Sequence, residues 1–183
     1  IGEPEAFGRG QKICEYVRSL APALELDQTW DIEVAAMLAP IGFMTIPPSI
    51  VQKIHAGLAL TTSEKDMVDR IPEIGFNVLS KIPRLGPAAQ MVRQQGKNPG
   101  NTSASTDPIK SQRLRKGAQL LRILSELVDL ESKGTPKRQA FDQMQVNWQL
   151  YDRPVLEATA AALLALESPG KRSGLKLKDL APG

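Results

Sequence analysis

Apolar residues recur at intervals of three and four along most of this 183-residue chain, and that spacing limits the fold more than any other feature. It is the spacing of amphipathic helices, which turn one face toward a core. One such stripe consists of Ile13, Tyr16, Val17 and Leu20, and another, on the longest predicted helix from about residue 110 to 131, consists of Leu114, Leu121, Leu124 and Val128. Before the C-terminal tail, no stretch of five or more residues alternates cleanly between apolar and polar types. The spacing therefore predicts an all-α bundle of several helices without an internal repeat.

Capping and helix-breaking residues divide the chain into shorter helices. Asp27 is predicted to cap a helix that Pro40 ends. The apolar face of that helix consists of Trp30, Val34, Met37 and Leu38. The stretch "TTSE", residues 61–64, predicts another capped start. A helix follows whose apolar face consists of Ile74, Val78 and Ile82, and further short helices are expected over 49–57, 86–95, 136–144 and 153–166.

The length is that of one domain, which is large enough to bury a core without disulfides. We expect the helical domain to cover residues 1–168. The polar run "GKNPGNTSASTDP" predicts a mobile loop at about 96–109. The tail, 169–183, places leucines among lysines and is expected to begin a further strand or segment. Since the chain starts at Ile1 rather than at Met, we expect a fragment of a longer protein.

Composition and charge exclude several classes of protein. The chain has 23 Lys and Arg against 20 Asp and Glu, so the net charge of +3 permits an anionic partner without requiring one. Cys14 is the only cysteine, which excludes an intramolecular disulfide and favours a reducing, cytoplasmic setting. We expect Cys14 to be a small buried hydrophobe. No apolar run reaches the roughly 18 residues that a membrane span needs, so we expect a soluble protein that does not enter the membrane.

Four fragments, in this order, resemble the HD-GYP family: "AAMLAPIGFMTIPPSIV" at 35–51, "IPEIGFNVLSKIP" at 71–83, "GAQLLRILSELVDL" at 117–130 and "YDRPVLEA" at 151–158. Together they span most of the chain. The resemblance implies the helical fold of metal-dependent phosphohydrolases that cleave cyclic di-guanylate in bacterial signalling. It also implies an output domain of a response regulator in a two-component phosphorelay. Family members hold hard metal cations with His and Asp, which lower the pKa of a bridging water.

The positions that match the family's metal ligands carry other residue types here. They are Arg9, Ala39, Pro40, Ile71, Gln94, Gln95 and Ser125. The chain contains a single histidine, His55, in a segment that is no ligand position in the family, and we expect it to lie at a helix end or on the surface. A multi-histidine metal centre cannot form from one imidazole. We therefore expect no metal, no cofactor and no catalytic residue of the HD type, and we interpret the chain as a pseudoenzyme that retains the family's scaffold.

Four alternatives for function remain open. The first is an interaction module that binds a protein partner, an upstream receiver domain or a second copy of the chain. The second is a domain that binds cyclic di-guanylate without cleaving it, with Arg9, Arg93 and Lys97 contacting phosphate. The third is a magnesium-dependent phosphohydrolase that uses carboxylate pairs. The fourth is nucleic-acid binding, which the few aromatic residues disfavour.

The residues behind the third and fourth alternatives also have plainer interpretations. The carboxylate pairs are Glu126 with Asp129 and Asp66 with Asp69, and pairs with this spacing are common on exposed helix faces. The basic residues at the start of the longest helix are Arg113, Arg115 and Lys116, with Arg122 further along. The first three alternate faces, which indicates a solvated helix start rather than a binding surface.

Overall fold

The computed structural model describes residues 3–96 and 108–167, except for the side chains of residues 3–6, 55 and 108. Over these ranges the chain forms α-helices and two 3₁₀ helices, and no strand. The helices are α1 (Glu3–Leu20), α2 (Trp30–Leu38), α3 (Pro48–His55), α4 (Thr62–Asp69), α5 (Ile71–Leu79), α6 (Gly86–Gln94), α7 (Pro108–Ser132), α8 (Lys137–Val146) and α9 (Arg153–Glu167), and the 3₁₀ helices are Ala39–Thr45 and Trp148–Leu150. The predicted all-α fold is confirmed.

Three predictions fall outside the described residues. They are the loop at about 96–109, of which residues 97–107 are not described, the tail at 169–183 and the phosphate contact at Lys97. The predicted loop is too long at its end, because α7 already begins at Pro108. Among the helices that are described, none combines the length and the apolar content needed to cross a membrane.

The long helix α7 forms the centre of the core. It packs against α1, α2, α6, α8 and α9. Its predicted stripe is confirmed at Leu121, Leu124 and Val128, which are buried, and Leu114 is half-buried at the edge of the same core. Close approach of α6 depends on Gly117, because a Cβ there would lie 2.7 Å from the Met91 Cε atom.

Helix α2 lies antiparallel to α1, because Gly10 faces Met37 and Cys14 faces Glu33. The N-cap of α2 is Thr29 rather than the predicted Asp27, and its hydroxyl bonds the Glu33 carboxylate instead of the backbone.

The apolar face predicted for α2 is also wrong. The buried face consists of Ile32, Ala35 and Ala36, whereas Trp30 is exposed and Val34, Met37 and Leu38 are only half-buried. The small side chains of Ala35 and Ala36 allow α2 to approach the neighbouring helices closely, so the face that carries them is the buried one.

A similar correction applies to α5. The capped start before it is confirmed as a full capping box between Thr61 and Glu64 at the start of α4. The core face of α5 consists of Ile71, Gly75 and Leu79, not of Ile74, Val78 and Ile82, of which the last two are exposed. The helix also ends at Leu79, so Ile82 of the predicted face lies beyond it.

The two Ile-Gly pairs of the sequence pack against one another. A Cβ on Gly42, in the first 3₁₀ helix, would lie 2.4 Å from the backbone carbonyl oxygen of Ile71. A Cβ on Gly75 would lie 3.0 Å from the Val92 Cγ1 atom and 3.9 Å from the Gly42 nitrogen. Both glycines therefore allow the 3₁₀ helix, α5 and α6 to approach closely. The two Ile-Gly pairs therefore have a packing role that does not depend on any catalytic function.

Candidate functional site

The positions that the family resemblance aligns with metal ligands differ in their surroundings. Ala39, Ile71 and Gln94 are buried, with 8%, 7% and 6% of their surface exposed. Ile71 packs with Ile46 and Ile50 in a small apolar cluster separate from the main core. We refer to Ala39, Ile71 and Gln94 as the closed positions. Pro40, the second residue of the 3₁₀ helix, is half-buried.

Of the remaining three, Gln95 and Ser125 line a cleft, and Arg9 bonds Asp129, which lines the same cleft. We refer to Arg9, Gln95 and Ser125 as the open positions. The cleft has a volume of about 360 Å³ and is lined by Gln95, Arg122, Ser125, Glu126, Asp129, Leu130 and Lys133. Most of these residues come from the second half of α7, and Gln95 caps the C-terminal end of α6. The structure thus brings together residues that are separated by 116 positions in sequence, such as Arg9 and Ser125.

Arg9 forms a two-point ion pair with Asp129, one of the residues that line the cleft. Its Nε donates to Asp129 Oδ1 at 2.6 Å and its Nη2 donates to Asp129 Oδ2 at 2.9 Å. The same Nη2 also donates to the Ser125 carbonyl oxygen at 3.4 Å. This fork geometry is the one that guanidinium and carboxylate groups adopt in their stronger pairs. Arg9 therefore ties α1 to α7 and neutralises Asp129.

Three further side chains of the cleft, Glu126, Arg122 and Ser125, differ in their hydrogen bonds and ring contacts. Tyr151 donates its hydroxyl to Glu126, and burial, with the negative charge of Glu126 beside it, raises the pKa of Tyr151 above its ordinary value. The Arg122 guanidinium lies 5.4 Å from the centre of the Tyr151 ring. The Ser125 hydroxyl is buried and, within the described residues, has no hydrogen-bond partner. A buried polar atom left in this way is uncommon.

Arg93, predicted to contact phosphate, belongs to a different set of contacts. Its Nε donates to Glu73 Oε2 at 2.8 Å, and its guanidinium lies 4.7 Å from the centre of the Phe76 ring. Both partners are on α5, so Arg93 joins α6 to α5. The structure does not bring it together with Arg9.

Basic side chains at the start of α7 hold the connection between α1 and α2. Lys116 Nζ donates to the Leu24 carbonyl oxygen at 2.5 Å. Arg113 Nη2 donates to Gln28 at 2.9 Å and to Asp31 at 3.1 Å. These contacts give two of the basic residues a structural role, which charge patterning alone did not predict.

The other candidate groups are scattered. Asp66 and Asp69 are exposed on α4, and His55 is the last residue of α3. Burial raises the pKa of the Cys14 thiol, which donates to the Glu33 carbonyl oxygen at 3.6 Å, as expected of a buried cysteine. Over the part of the chain that is described, His, Cys, Asp and Glu side chains do not gather in groups of three or more that could hold a metal.

A polar cluster that the sequence did not reveal joins α1 to the C-terminal helices. Tyr16 donates its hydroxyl to Glu131 at 2.7 Å, and burial together with this bond raises the pKa of Tyr16. Lys137 Nζ lies 2.5 Å from Glu167, 3.9 Å from Glu131 and 5.1 Å from the centre of the Tyr16 ring. The pairing links residues more than 100 positions apart, and helical periodicity carries no signal for it.

Comparisons with known proteins agree with this architecture. The model of the HD domain family matches residues 2–155. Among solved structures, the chain is similar to Bd1817, a HDG"Y"P protein from Bdellovibrio bacteriovorus, with a TM-score of 0.64 and 14% sequence identity. The match covers 87% of this chain and 52% of the Bdellovibrio chain, so this chain spans about half the length of that protein. A search of curated proteins finds no match.

The family match covers far more than half of the chain, and the structural similarity independently shows an HD-GYP-like fold. The chain therefore belongs to the HD domain family.

Proposed function

We propose that this HD-type domain is a non-catalytic output or interaction module of a bacterial signalling protein of the response-regulator type. One observation carries the proposal: the chain has a single histidine, His55, and it lies at the end of α3 rather than at a position that matches a family ligand. Metal-dependent hydrolysis of a phosphodiester needs several imidazole and carboxylate ligands around the cations.

The residues at the matching positions support this proposal in two ways. At the closed positions, Ala39 and Ile71 leave apolar side chains where a ligand would need a nitrogen or oxygen atom. At the open positions, the Arg9 guanidinium supplies a fixed positive charge beside Asp129. Asp129 therefore has a counter-charge within the protein and does not need a metal ion to supply one.

The first experiment combines elemental analysis of the purified, untagged domain with an assay of cyclic di-guanylate cleavage in added manganese and iron. An HD-GYP enzyme with a complete ligand set serves as the positive control. We expect no stoichiometric metal and no turnover. Bound iron or manganese together with turnover would contradict the proposal.

A magnesium site built on Glu126 and Asp129 is less well supported by the geometry. Glu126 accepts the Tyr151 hydroxyl, and both oxygens of Asp129 accept from Arg9. Binding a cation would require breaking these contacts first. Magnesium-dependent phosphatase activity that Asp129→Asn abolishes would establish this alternative instead.

The cleft favours a second candidate, binding of cyclic di-guanylate without hydrolysis. The Ser125 hydroxyl lacks a partner among the described residues, and Gln95 and the exposed Lys133 lie on the same cleft. Together these groups offer donors to a phosphate oxygen. Calorimetry with cyclic di-guanylate tests the idea: we expect Lys133→Ala to weaken binding and Lys65→Ala, on exposed α4, to leave it unchanged. The absence of heat at high ligand concentration would contradict it.

A further inference from the structure

A groove with apolar and charged lining residues runs along the antiparallel α1–α2 pair. It has a volume of about 610 Å³ and is lined by Gln11, Cys14, Glu15, Arg18, Trp30, Glu33, Val34, Met37 and Leu38. We refer to it as the α1–α2 groove. Trp30, at one end of α2, has 53% of its surface exposed.

The groove exists because α2 is apolar on two faces. Ile32, Ala35 and Ala36 face the core, while the stripe of Trp30, Val34, Met37 and Leu38 lies at the groove. A helix that is apolar all round is normally buried all round. Trp, Met and Arg are also the residue types enriched in protein interfaces, and all three occur here. Trp30 is the exposed member of this stripe, and Val34, Met37 and Leu38 are half-buried at the edge of the core. A partner would cover the indole and the outer edges of the other three side chains.

The charges beside the groove indicate what kind of partner fits. Along α1 the signs alternate at Lys12, Glu15 and Arg18, and Glu33 on α2 pairs with Arg18 at 2.5 Å. The side chains of Glu15 and Arg18 are each 66% exposed. Two positive and two negative groups give no net charge, so neither a strongly acidic nor a strongly basic partner is favoured. A surface with both signs side by side is self-complementary under a two-fold rotation.

We propose that the α1–α2 groove is the interface of a symmetric homodimer. A two-fold axis between Glu15 and Arg18 places Arg18 of each copy opposite Glu15 of the other. It also lays the two-helix layer of one copy on the same layer of its partner, which is the arrangement of a four-helix bundle. Trp30 and Met37 of both copies become buried. This inference goes beyond the proposed function, because an active or an inactive domain can dimerise in this way.

Sedimentation velocity of the 183-residue chain over a range of concentrations is the test. We expect a dimer for the unmodified chain and a monomer for Trp30→Asp. The matched control is Trp148→Asp, since Trp148 has 49% of its surface exposed but lies in the second 3₁₀ helix, away from the groove. The control should remain a dimer, and circular dichroism should show both variants folded. A chain that stays monomeric, or a dimer that only Trp148→Asp dissociates, would overturn the proposal.

A charge exchange tests the two-fold pairing itself. In a dimer of the Glu15→Arg variant two arginines face one another at each contact, and in a dimer of the Arg18→Glu variant two glutamates do. Each variant alone should therefore dimerise less tightly than the unmodified chain. An equimolar mixture restores opposite charges at both contacts, and we expect it to form heterodimers. A mixture that dimerises no better than either variant alone would overturn the proposed pairing.

Fluorescence provides an independent readout of where the dimer forms. In a Trp148→Phe background, Trp30 is the only tryptophan. Its emission should shift to shorter wavelength as concentration rises, because dimerisation removes the indole from water. A dimer that forms with no change in Trp30 emission would place the interface elsewhere and contradict the proposal.

Discussion

The closed and open positions are two different environments for the residues that the family resemblance aligns with metal ligands. At the closed positions, Ala39 and Ile71 are packed among apolar side chains and against backbone, with Ile71 directly opposite Gly42. At the open positions, Ser125 and Gln95 line a cleft, and Arg9 bonds the Asp129 carboxylate and the Ser125 carbonyl oxygen beside it. Two neighbouring residues differ in the same way, since Gln94 is buried and Gln95 lines the cleft.

The difference follows from the surroundings of each position. Ala39 and Ile71 lie among closely packed helices, where apolar or small residues fit without a desolvation penalty, and the buried Gln94 is the polar exception among the closed positions. Where solvent reaches the site, water stabilises a charged side chain such as Arg9, and a counter-ion such as Asp129 adds only a modest contribution. We therefore expect substitutions at the closed positions to change stability, and substitutions at the open positions to change mainly charge and binding.

The largest effect is expected for Gly42→Ala, next to the closed position Ile71. The added Cβ would lie 2.4 Å from the Ile71 carbonyl oxygen, a backbone atom that cannot rotate away. We expect a loss of about 3 kcal/mol in the free energy of unfolding, measured by urea denaturation. The control is Gly8→Ala in α1, where a Cβ meets nothing within 4 Å. That variant should be at least as stable as the parent, because alanine favours the helix. Equal effects of the two variants would contradict the close packing.

Introducing a histidine at each kind of position gives a direct comparison. Ile71→His puts an imidazole into an apolar cluster, where its nitrogen atoms find no partner, and we expect a loss of about 2 kcal/mol. Gln95→His, at the half-buried edge of the cleft, should change stability by no more than about 0.5 kcal/mol. Thermal unfolding of both variants measures the difference. A tolerated histidine at residue 71 would show that this position is not closed.

The sequence predicted the helical architecture well but misassigned two helix faces. Periodicity located α7, its stripe and the capping box before α4, because those signals are local. On α2 and α5, however, two faces are apolar, and the smaller residues Ala35, Ala36 and Gly75 face the core. Periodicity favours the face with the larger side chains, because that face carries more apolar surface. Which face is buried depends on how closely the neighbouring helices approach, and a single sequence does not contain that distance.

The candidate site was predictable only through the family resemblance. The order of the motifs predicts which positions align with the family's ligands, but not the environments of those positions. The contact between Arg9 and Asp129 joins residues 120 positions apart, and no local pattern relates them. The same holds for the bond from Tyr16 to Glu131, 115 positions apart. Such pairs arise from the packing of α1 on α7, which follows from the whole fold.

A double-mutant cycle on Arg9 and Asp129 measures how strongly the open positions are held. Because half of the Asp129 side chain is exposed, we expect a coupling energy of about 1 kcal/mol for Arg9→Gln with Asp129→Asn, at the upper end for exposed pairs. The comparison is the i,i+4 pair of Arg153 and Glu157 on α9, whose coupling should be about 0.3 kcal/mol. High salt should weaken both. A coupling for Arg9 no greater than that of the helix pair would show that the fork contributes nothing beyond an ordinary surface contact.

The smallest effect is expected for Ser125→Ala, and it decides whether the open positions are part of the protein's own hydrogen bonding. The Ser125 hydroxyl is buried without a partner among the described residues, so its removal relieves a desolvation penalty and should leave stability within about 0.5 kcal/mol of the parent. Thr159→Val is the contrast. The Thr159 hydroxyl is also buried but donates to the Val155 carbonyl oxygen at 2.7 Å, so its replacement should cost about 1 kcal/mol. If Ser125→Ala costs as much as Thr159→Val, the serine has a partner inside the protein, and the open positions are packed like the closed ones. If it costs nothing, the hydroxyl remains available to a group that enters the cleft, which is what separates the open positions from the closed ones.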